Sequence, residues 1–122
     1  MTIRVTVLMR RRPDITREEF LKLWTSEHAR IFASVKKVQE KIIRYSQYCI
    51  LTPESERLAA AGLPVPEYDG AAEYHAESLD DIMEMLGDKE YQERVLSDEA
   101  KFLDRTSFQV LVGEEKVQHE RP

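Results

Sequence analysis

Hydrophobic and polar residues alternate over four stretches of the chain, which is the pattern of β-strands that bury one face. The first stretch runs from Ile3 to Met9, and the second runs from Ile42 to Leu51. The third covers Asp69 to Ala76, and the fourth covers Thr106 to Val112. The pattern therefore predicts four short strands, enough for one small sheet.

A longer hydrophobic period, close to 3.6 residues, predicts helices between these strands. Thr16 and Glu19 have the spacing of a capping box, so a helix is expected from about residue 17 to about residue 41. Its hydrophobic positions follow the helical period throughout. A kink is favoured after Thr25 and Ser26, because their hydroxyl groups compete for the backbone carbonyls of the preceding turn.

Two further segments carry helical signals. Between the second and third strands, residues 52–66 predict one or two helical turns and then an extended loop, and a connection of this length often covers a binding site. After the third strand, Ser78 begins a helix that ends near Leu86. Gly87 interrupts the pattern, and a helix resumes from Asp88 to Leu103.

The predicted order is strand, helix, strand, strand, helix, strand, which is the split βαβ arrangement of the ferredoxin-like fold. This α+β class has a four-stranded antiparallel sheet with both main helices on one face. The other face needs a cover, so we expect a homodimer whose two sheets pack into an α/β barrel. The domain is expected to span residues 1–115, followed by a loose C-terminal tail over 116–122.

Composition and charge narrow the function classes. A chain of 122 residues suffices for one domain, and its net charge of −5 argues against a nucleic-acid partner. No hydrophobic run approaches the roughly 20 residues of a membrane span, and the N-terminal stretch lacks the features of a signal peptide. We therefore expect a cytoplasmic protein without a membrane partner. Cys49 is the single cysteine, so no intrachain disulfide can form.

Arg10, Arg11 and Arg12 form a local basic patch at the end of the first strand. Two interpretations stay open at this point. The arginines can be the solvated end of a strand, or they can attract an anionic ligand.

Trp24 and His28 are four residues apart and therefore share one face of the first predicted helix. An imidazole titrates near neutral pH and is the most frequent general acid or base. The structural alternative is a buried histidine that is held by a hydrogen bond and has no chemical role. The choice depends on which other groups reach His28.

Polar and aromatic side chains concentrate on the second and third strands, and we expect them to converge on one cavity. His28 with Tyr45, Gln47 and Asp69 would then combine a titratable group with orienting hydrogen-bond donors. The alternative is a sheet whose tyrosines pack with their hydroxyl groups in water. The side chains concerned are Tyr45, Gln47 and Tyr48 on the second strand, and Tyr68, Asp69, Glu73, Tyr74 and His75 at or near the third.

The sequence contains no motif of a nucleotide-binding loop, a zinc protease or a serine hydrolase. His28, Glu73 and His75 could be imagined as metal ligands, but their spacing has no metal-site signature. We therefore expect no metal and no cofactor.

Four short motifs resemble those of EthD-domain proteins in order and approximate spacing. The resemblance covers Val5 to about Glu115, nearly the whole chain. It is closest to the fungal branch of the family, small proteins encoded with polyketide synthases and regarded as decarboxylases or dehydratase-like tailoring enzymes. The motifs are Trp24-x-x-x-His28-Ala, Tyr45-Ser-Gln47-Tyr, Tyr68-Asp69-Gly70 followed by Glu73, and Asp98-Glu99-x-x-Phe102-Leu103-Asp104.

The resemblance implies a dimeric α/β barrel, cofactor-free lyase or cyclase chemistry on an aromatic or pre-aromatic polyketide, and His28 as the catalytic position. The chain departs from the family in one place. Relatives often end the second-strand motif as Tyr-x-Gln-x-His, whereas this chain has Cys49 at the last position. Either the chemistry differs here, or His28 is sufficient.

Decarboxylation of a β-keto or ortho-hydroxy aromatic acid is the favoured reaction, since loss of CO2 leaves an enolate that needs hydrogen-bond donors and a proton source. We assign His28 as the acid/base and Tyr45 and Gln47 as the donors. Asp69 and Asp98 are candidates to orient these groups. The other residues expected to contact substrate are Trp24, Tyr48, Tyr68, Glu73 and Phe102.

Three alternatives remain. The same groups could deprotonate an activated methylene for cyclisation or dehydration. The protein could instead be a cofactor-free oxygenase of a phenolic or anthrone-like substrate. It could also be a noncatalytic dimeric binding or accessory protein.

Overall fold

The computed structural model describes residues 2–122, and Met1, the first residue of the expected domain, lies outside the described residues. Four strands form one antiparallel sheet in the order β2-β3-β1-β4, which confirms the ferredoxin-like prediction. The strands are β1 (Ile3–Arg11), β2 (Arg44–Cys49), β3 (Gly70–Ala76) and β4 (Leu103–Gly113).

The first helix, α1, covers residues 17–34 in three consecutive segments: Arg17–Lys22, a π-helical turn over Leu23–His28, and Ala29–Ser34. The predicted capping box is present, because the Thr16 hydroxyl accepts from the Glu19 amide and the Glu19 carboxylate accepts from the Thr16 amide. The π-helical turn lies where the sequence favours a kink.

The first helix does not run unbroken to residue 41 as predicted. Val35 has an extended backbone, with φ −75° and ψ 128°, and a separate short helix, α2, follows at Lys36–Lys41. Val35 is fully buried. A β-branched residue at this position tolerates the extended backbone well, so the break turns the chain without exposing the side chain.

The remaining helices agree with the sequence pattern to within a few residues. Helix α3 covers Thr52–Ala60 and is followed by an irregular segment, as predicted. Helix α4 covers Leu79–Gly87, and Asp88 interrupts the helix with an extended backbone. Helix α5 spans residues 89–99 and contains a π-helical turn over Gln92–Leu96. None of the helices in residues 2–122 is long and hydrophobic enough to cross a membrane.

The main hydrophobic core lies between one face of the sheet and helices α1 and α5. Val5, Met9 and Ala72 point into this core, so the alternate residue Leu8 points to the other face. Phe20 and Trp24 stack on each other, with their ring centroids 5.3 Å apart. Both rings belong to the same core cluster as Met9 and Ala72, so α1 lies directly against the sheet.

Within residues 2–122, no helix covers the second face of the sheet, and this face is more polar than the first. The guanidinium of Arg4 lies 3.8 Å from the Glu73 carboxylate and 3.3 Å from that of Glu115. His75 Nε2 lies 3.7 Å from the same Glu115. Leu111, on the neighbouring strand β4, is 61% exposed on this face. We call this surface the open face of the sheet.

Candidate active site

A cavity of about 200 Å³ lies between the helix-covered face of the sheet and helices α1, α4 and α5. Hydrophobic side chains make most of its wall, and every strand except β2 contributes at least one of them. Five ionisable side chains interrupt this wall: His28, Tyr45, Tyr74, Tyr91 and Glu99. A polar group in such surroundings is exposed to little water, so its protonation state differs from that in solution.

His28 is held by an aspartate behind it. The imidazole is 4% exposed, and its Nδ1 lies 2.9 Å from Oδ2 of Asp98, which is also buried. Because a carboxylate only accepts hydrogen bonds, Nδ1 carries the proton and donates it to Asp98. Burial lowers the pKa of His28 below its ordinary value of 6.5, and the hydrogen bond and charge of Asp98 oppose this shift. The unprotonated Nε2 is thereby left for the cavity that His28 lines.

Two further contacts fix the positions of these side chains. The Phe102 ring meets the imidazole of His28 edge to face, with the ring centroids 5.1 Å apart. Lys101 Nζ lies 3.1 Å from Oδ1 of Asp98, on the solvent side. The carboxylate of Asp98 therefore contacts a cation and the imidazole at the same time.

Glu99 is the neighbour of Asp98 and faces the cavity. It is 7% exposed, and its carboxyl group has neither a hydrogen bond nor an ion pair with any group in residues 2–122. Burial raises the pKa of Glu99 to about 7, the charge of Asp98 adds to this shift, and that of Arg105 opposes it. A carboxyl group in this state is a proton donor near neutral pH.

Tyr45 and Gln47 lie next to each other on the helix-covered side of β2. Gln47 Nε2 donates to the Tyr45 hydroxyl at 3.1 Å and to the backbone oxygen of Trp24 at 2.8 Å. Burial raises the pKa of Tyr45 to about 12, so the hydroxyl keeps its proton. Since the Tyr45 oxygen accepts from Gln47, its own proton is free to be donated elsewhere.

Two π-helical turns lie beside the cavity. The first, Leu23–His28, contains both Trp24 and His28, and the second, Gln92–Leu96, ends just before Asp98 and Glu99. Such turns carry an extra residue and are frequent at functional sites. Thr25 and Ser26 contribute to the first turn, because their hydroxyl groups donate to the carbonyls of Leu21 and Lys22.

The structure brings several of the predicted site residues together around this cavity. Trp24, His28 and Tyr45 line it. Asp98 and Phe102 contact His28 from behind and from the side. Gln47 reaches the site through Tyr45, and both of its amide N–H donors are engaged within the protein.

The expectation that all the polar strand residues converge on one cavity was wrong for Tyr48 and Glu73. Tyr48 is 61% exposed, and Glu73 pairs with Arg4 and Ser46 on the open face. Side chains alternate between the two faces along a strand. Tyr48 therefore lies on the face opposite to Tyr45, and Glu73 lies on the face opposite to Tyr74. His75 lies on the open face as well, so His28, Glu73 and His75 cannot share one metal ion.

Tyr68 and Asp69 also lie away from His28. They border a second, more open cavity of about 400 Å³ beside α3, together with Arg10, Arg11 and Arg17. Oδ1 of Asp69 is 2.9 Å from the guanidinium of Arg11 and 3.1 Å from that of Arg17. The connection that contains α3 therefore borders this second cavity instead of covering the one at His28.

Sequence reasoning missed two residues of the site, Tyr91 and Glu99, whereas Tyr74 lines the cavity as expected. A signal for Glu99 was available, because Tyr91, Val95 and Glu99 follow one another at a spacing of four residues. A glutamate that continues a buried helix face is a candidate for a buried acid.

Taken together, the fold and the site define a class: a ferredoxin-like α+β protein with a buried histidine–aspartate pair and an unpaired glutamate in a mostly hydrophobic cavity. A model of the EthD domain family matches residues 12–106. The chain therefore belongs to the EthD domain family. The search of curated proteins gave no match.

Solved structures with the same fold come from distant relatives. A dimeric protein of unknown function from Bacteroides fragilis has a TM-score of 0.65 at 16% identity, over 93% of this chain and 96% of its own. An EthD family protein from Bacillus halodurans has a TM-score of 0.65 at 14% identity, over 95% and 100%. A hydroxynitrile lyase from Passiflora edulis has a TM-score of 0.60 at 12% identity, over 98% and 97%. At such identities the likeness shows the fold alone.

Proposed function

We propose that this protein is a cofactor-independent lyase that transfers protons on an aromatic or pre-aromatic ring of polyketide type. The reaction is loss of CO2 from a β-keto or ortho-hydroxy aromatic acid, or loss of water during cyclisation. The observation that carries the proposal is the His28–Asp98 pair at the wall of a largely hydrophobic cavity. The Passiflora edulis hydroxynitrile lyase, which has the same fold, supports lyase chemistry.

His28 is the proposed acid/base. Its Nδ1 proton is held by Asp98, so Nε2 carries the lone pair that takes up a proton and later returns it. Asp98 stabilises the imidazolium that forms in between. This division of roles needs no second histidine on β2, so the proposed reaction is compatible with Cys49 in that place.

Tyr45 is the proposed donor to the developing enolate oxygen. Tyr45 lines the cavity, and its hydroxyl keeps its proton because burial raises its pKa to about 12. Gln47 acts as a positioning residue, because its amide N–H groups are engaged by Tyr45 and by the Trp24 backbone. A preorganised donor of this kind stabilises an enolate without further rearrangement.

The size of the cavity limits the substrate. A cavity of about 150 Å³ is enough to bind benzene. The cavity at His28, of about 200 Å³, therefore accommodates one substituted ring. A larger polyketide would place its reacting ring inside and the remainder at the mouth, where Leu86 and Val110 are partly exposed.

We further propose that the protein is a homodimer, with the open faces of two sheets packed against each other. Leu8 and Leu111 lie on this face, and a second copy would cover them. The Bacteroides fragilis protein of the same fold is dimeric, which supports this assembly.

The test of the lyase function uses three probes with the wild-type protein and mass analysis of the products. These are 2,4-dihydroxybenzoate for loss of CO2, 3-hydroxycyclohexanone for loss of water, and anthrone for gain of oxygen. We expect loss of CO2 or of water with one of the first two. Replacing His28→Asn should lower that rate by about 10²–10⁴-fold.

The matched control is His119→Asn, because His119 is exposed in the C-terminal tail. It should leave the rate unchanged. Gain of oxygen on anthrone would show that the protein is an oxygenase and would contradict the proposed lyase function. Binding of the probes without any product, in both the wild-type protein and the His28→Asn variant, would favour a noncatalytic binding protein.

A further inference from the structure

We infer that Glu99 is a second proton-transfer group in the His28 cavity, and that the cavity takes an uncharged ring and eliminates water from it, instead of releasing CO2 from an acid. This inference rests on the proposed lyase function and names its substrate class. It starts from the position of the Glu99 carboxyl group and from the charges of the groups around the cavity.

Glu99 is 7% exposed at the cavity wall, and its carboxyl group makes no hydrogen bond or ion pair within residues 2–122. Ionising a carboxyl group in such a place is costly, because the charged form loses most of its hydration and gains only the attraction of Arg105. Among the described residues, the other two buried carboxylates are paired, Asp69 with Arg11 and Arg17, and Asp98 with His28 and Lys101. Glu99 therefore fits a reactive role in the cavity better than a role in a structural ion pair.

The cavity wall contains no lysine or arginine among the described residues. A substrate carboxylate would thus find no cation there. It would instead meet Glu99 at the wall, which repels an anion when it is ionised. An uncharged ketone or phenol meets no such repulsion, and it can accept a hydrogen bond from Tyr45.

The protonation states of the cavity groups fit a pair of one base and one acid. Burial lowers the pKa of His28 and raises that of Glu99 to about 7, so the imidazole is free to accept a proton and the carboxyl group is free to donate one. The charged and titratable groups around Glu99 are Asp98 and Tyr91 on α5, Arg105 on β4, Tyr45 on β2, Tyr74 on β3 and His28 on α1.

The elimination step then balances within the protein. His28 Nε2 takes the proton from the carbon next to the substrate carbonyl, and the electrons of that C–H bond form the new C=C bond. The C–O bond of the β-hydroxyl group breaks, its electron pair stays on oxygen, and the Glu99 carboxyl group protonates this oxygen to give water. Transfer of a proton from the imidazolium to the Glu99 carboxylate restores both residues.

A binding experiment tests the charge preference without requiring catalysis. Resorcinol and 2,4-dihydroxybenzoate differ only by a carboxylate group, and each is titrated into the wild-type protein and into Glu99→Gln at pH 5.5 and pH 8. In the wild-type protein at pH 8, the acid should bind on the order of 10-fold or more weakly than resorcinol. This difference should shrink at pH 5.5, and in Glu99→Gln at both pH values.

The matched control is Glu93→Gln, on the exposed side of the same helix, which should behave like the wild-type protein. Equal binding of the two ligands at pH 8 would overturn the charge preference while leaving the site intact. If neither ligand binds, or if the two ligands bind without competing with each other, the proposed site itself is contradicted.

Turnover tests the role of Glu99 in proton transfer. With 3-hydroxycyclohexanone, kcat/KM of the wild-type protein should fall above about pH 7 as Glu99 ionises. Glu99→Gln should remove this fall and lower the maximum rate by about 10²-fold or more. Release of CO2 from 2,4-dihydroxybenzoate without any loss of water from the ketone would overturn the inference but leave the lyase function standing.

Discussion

At the scale of single residues, burial has opposite effects on the two ionisable groups that define the site. It disfavours the charged form of each, so it lowers the pKa of His28 and raises that of Glu99. Asp98 partly restores the pKa of His28, because it lies next to the imidazole and makes a hydrogen bond to it. The result is a neutral base and a neutral acid that line the same cavity.

Glu99 should make the stability of the protein depend on pH. The pKa of Glu99 is about 7 in the folded state, against 4.5 ordinarily. Its contribution to the free energy of unfolding is therefore fully present below pH 4.5 and is lost as the pH rises through 7. The variant Glu99→Gln has no carboxyl group at this position, so its stability does not fall in this way. At pH 8 its free energy of unfolding, measured by urea denaturation, should exceed that of the wild-type protein by roughly 1–3 kcal/mol.

At pH 4 the two proteins should differ by less than about 0.5 kcal/mol, because Glu99 is then protonated in both states. Glu93→Gln again serves as the exposed control and should show no such dependence on pH. A Glu99→Gln variant less stable than the wild-type protein at pH 8 would mean that the carboxylate has a partner that stabilises it.

At the scale of elements, the close approach of α1 to β3 positions the Trp24 side chain. A Cβ atom at Gly70 would lie 2.6 Å from Cζ3 and 2.8 Å from Cη2 of Trp24, well inside van der Waals contact. Only a glycine at this point lets the indole pack on the strand. The tryptophan is fully buried and lines the cavity, so this packing also shapes the site.

The variant Gly70→Ala should destabilise the protein by about 1–3 kcal/mol, because the indole must move to make room. The shift should also appear in the near-ultraviolet circular dichroism of Trp24, the only tryptophan. Gly87→Ala is the matched control, since nothing lies within 4 Å of the Cβ position at Gly87. A fully stable Gly70→Ala protein with an unchanged spectrum would show that the indole is not held against the strand.

At the scale of the whole molecule, the open face of the sheet leaves hydrophobic surface uncovered in a single chain. Leu111 is exposed on this face beside the ion pairs of Arg4, Glu73 and Glu115. A second copy would shield these groups from water. The edges of the sheet would then be less available for unwanted pairing.

Sedimentation equilibrium should therefore give twice the chain mass of 14.3 kDa. Leu111→Asp should shift the equilibrium towards the monomer, because it places a charge in the interface of both copies. Leu58→Asp, a change of another exposed leucine, on α3, should leave the dimer intact. A monomeric wild-type protein, or a Leu111→Asp variant that stays dimeric, would exclude the open face as the interface.

Much of the architecture follows from the sequence pattern alone. Local periodicity is a property of the backbone, so the alternation of strands and the spacing of Trp24 and His28 predict the elements and the face that they share. The capping box at Thr16 predicts where α1 begins. The break at Val35 was not predicted, because it depends on how α1 and α2 pack against α4 and α5 and not on a local breaking residue.

The composition of the site depends on contacts between residues far apart in the chain. His28 and Asp98 are 70 residues apart, and no pattern in the sequence joins them. The sequence by itself determined the order of the elements and the side of α1 that faces inward, because both follow from local backbone geometry. Only the tertiary structure decided that Glu99 enters the cavity while Tyr48, Tyr68, Asp69 and Glu73 do not, since burial and pKa depend on which distant elements pack together.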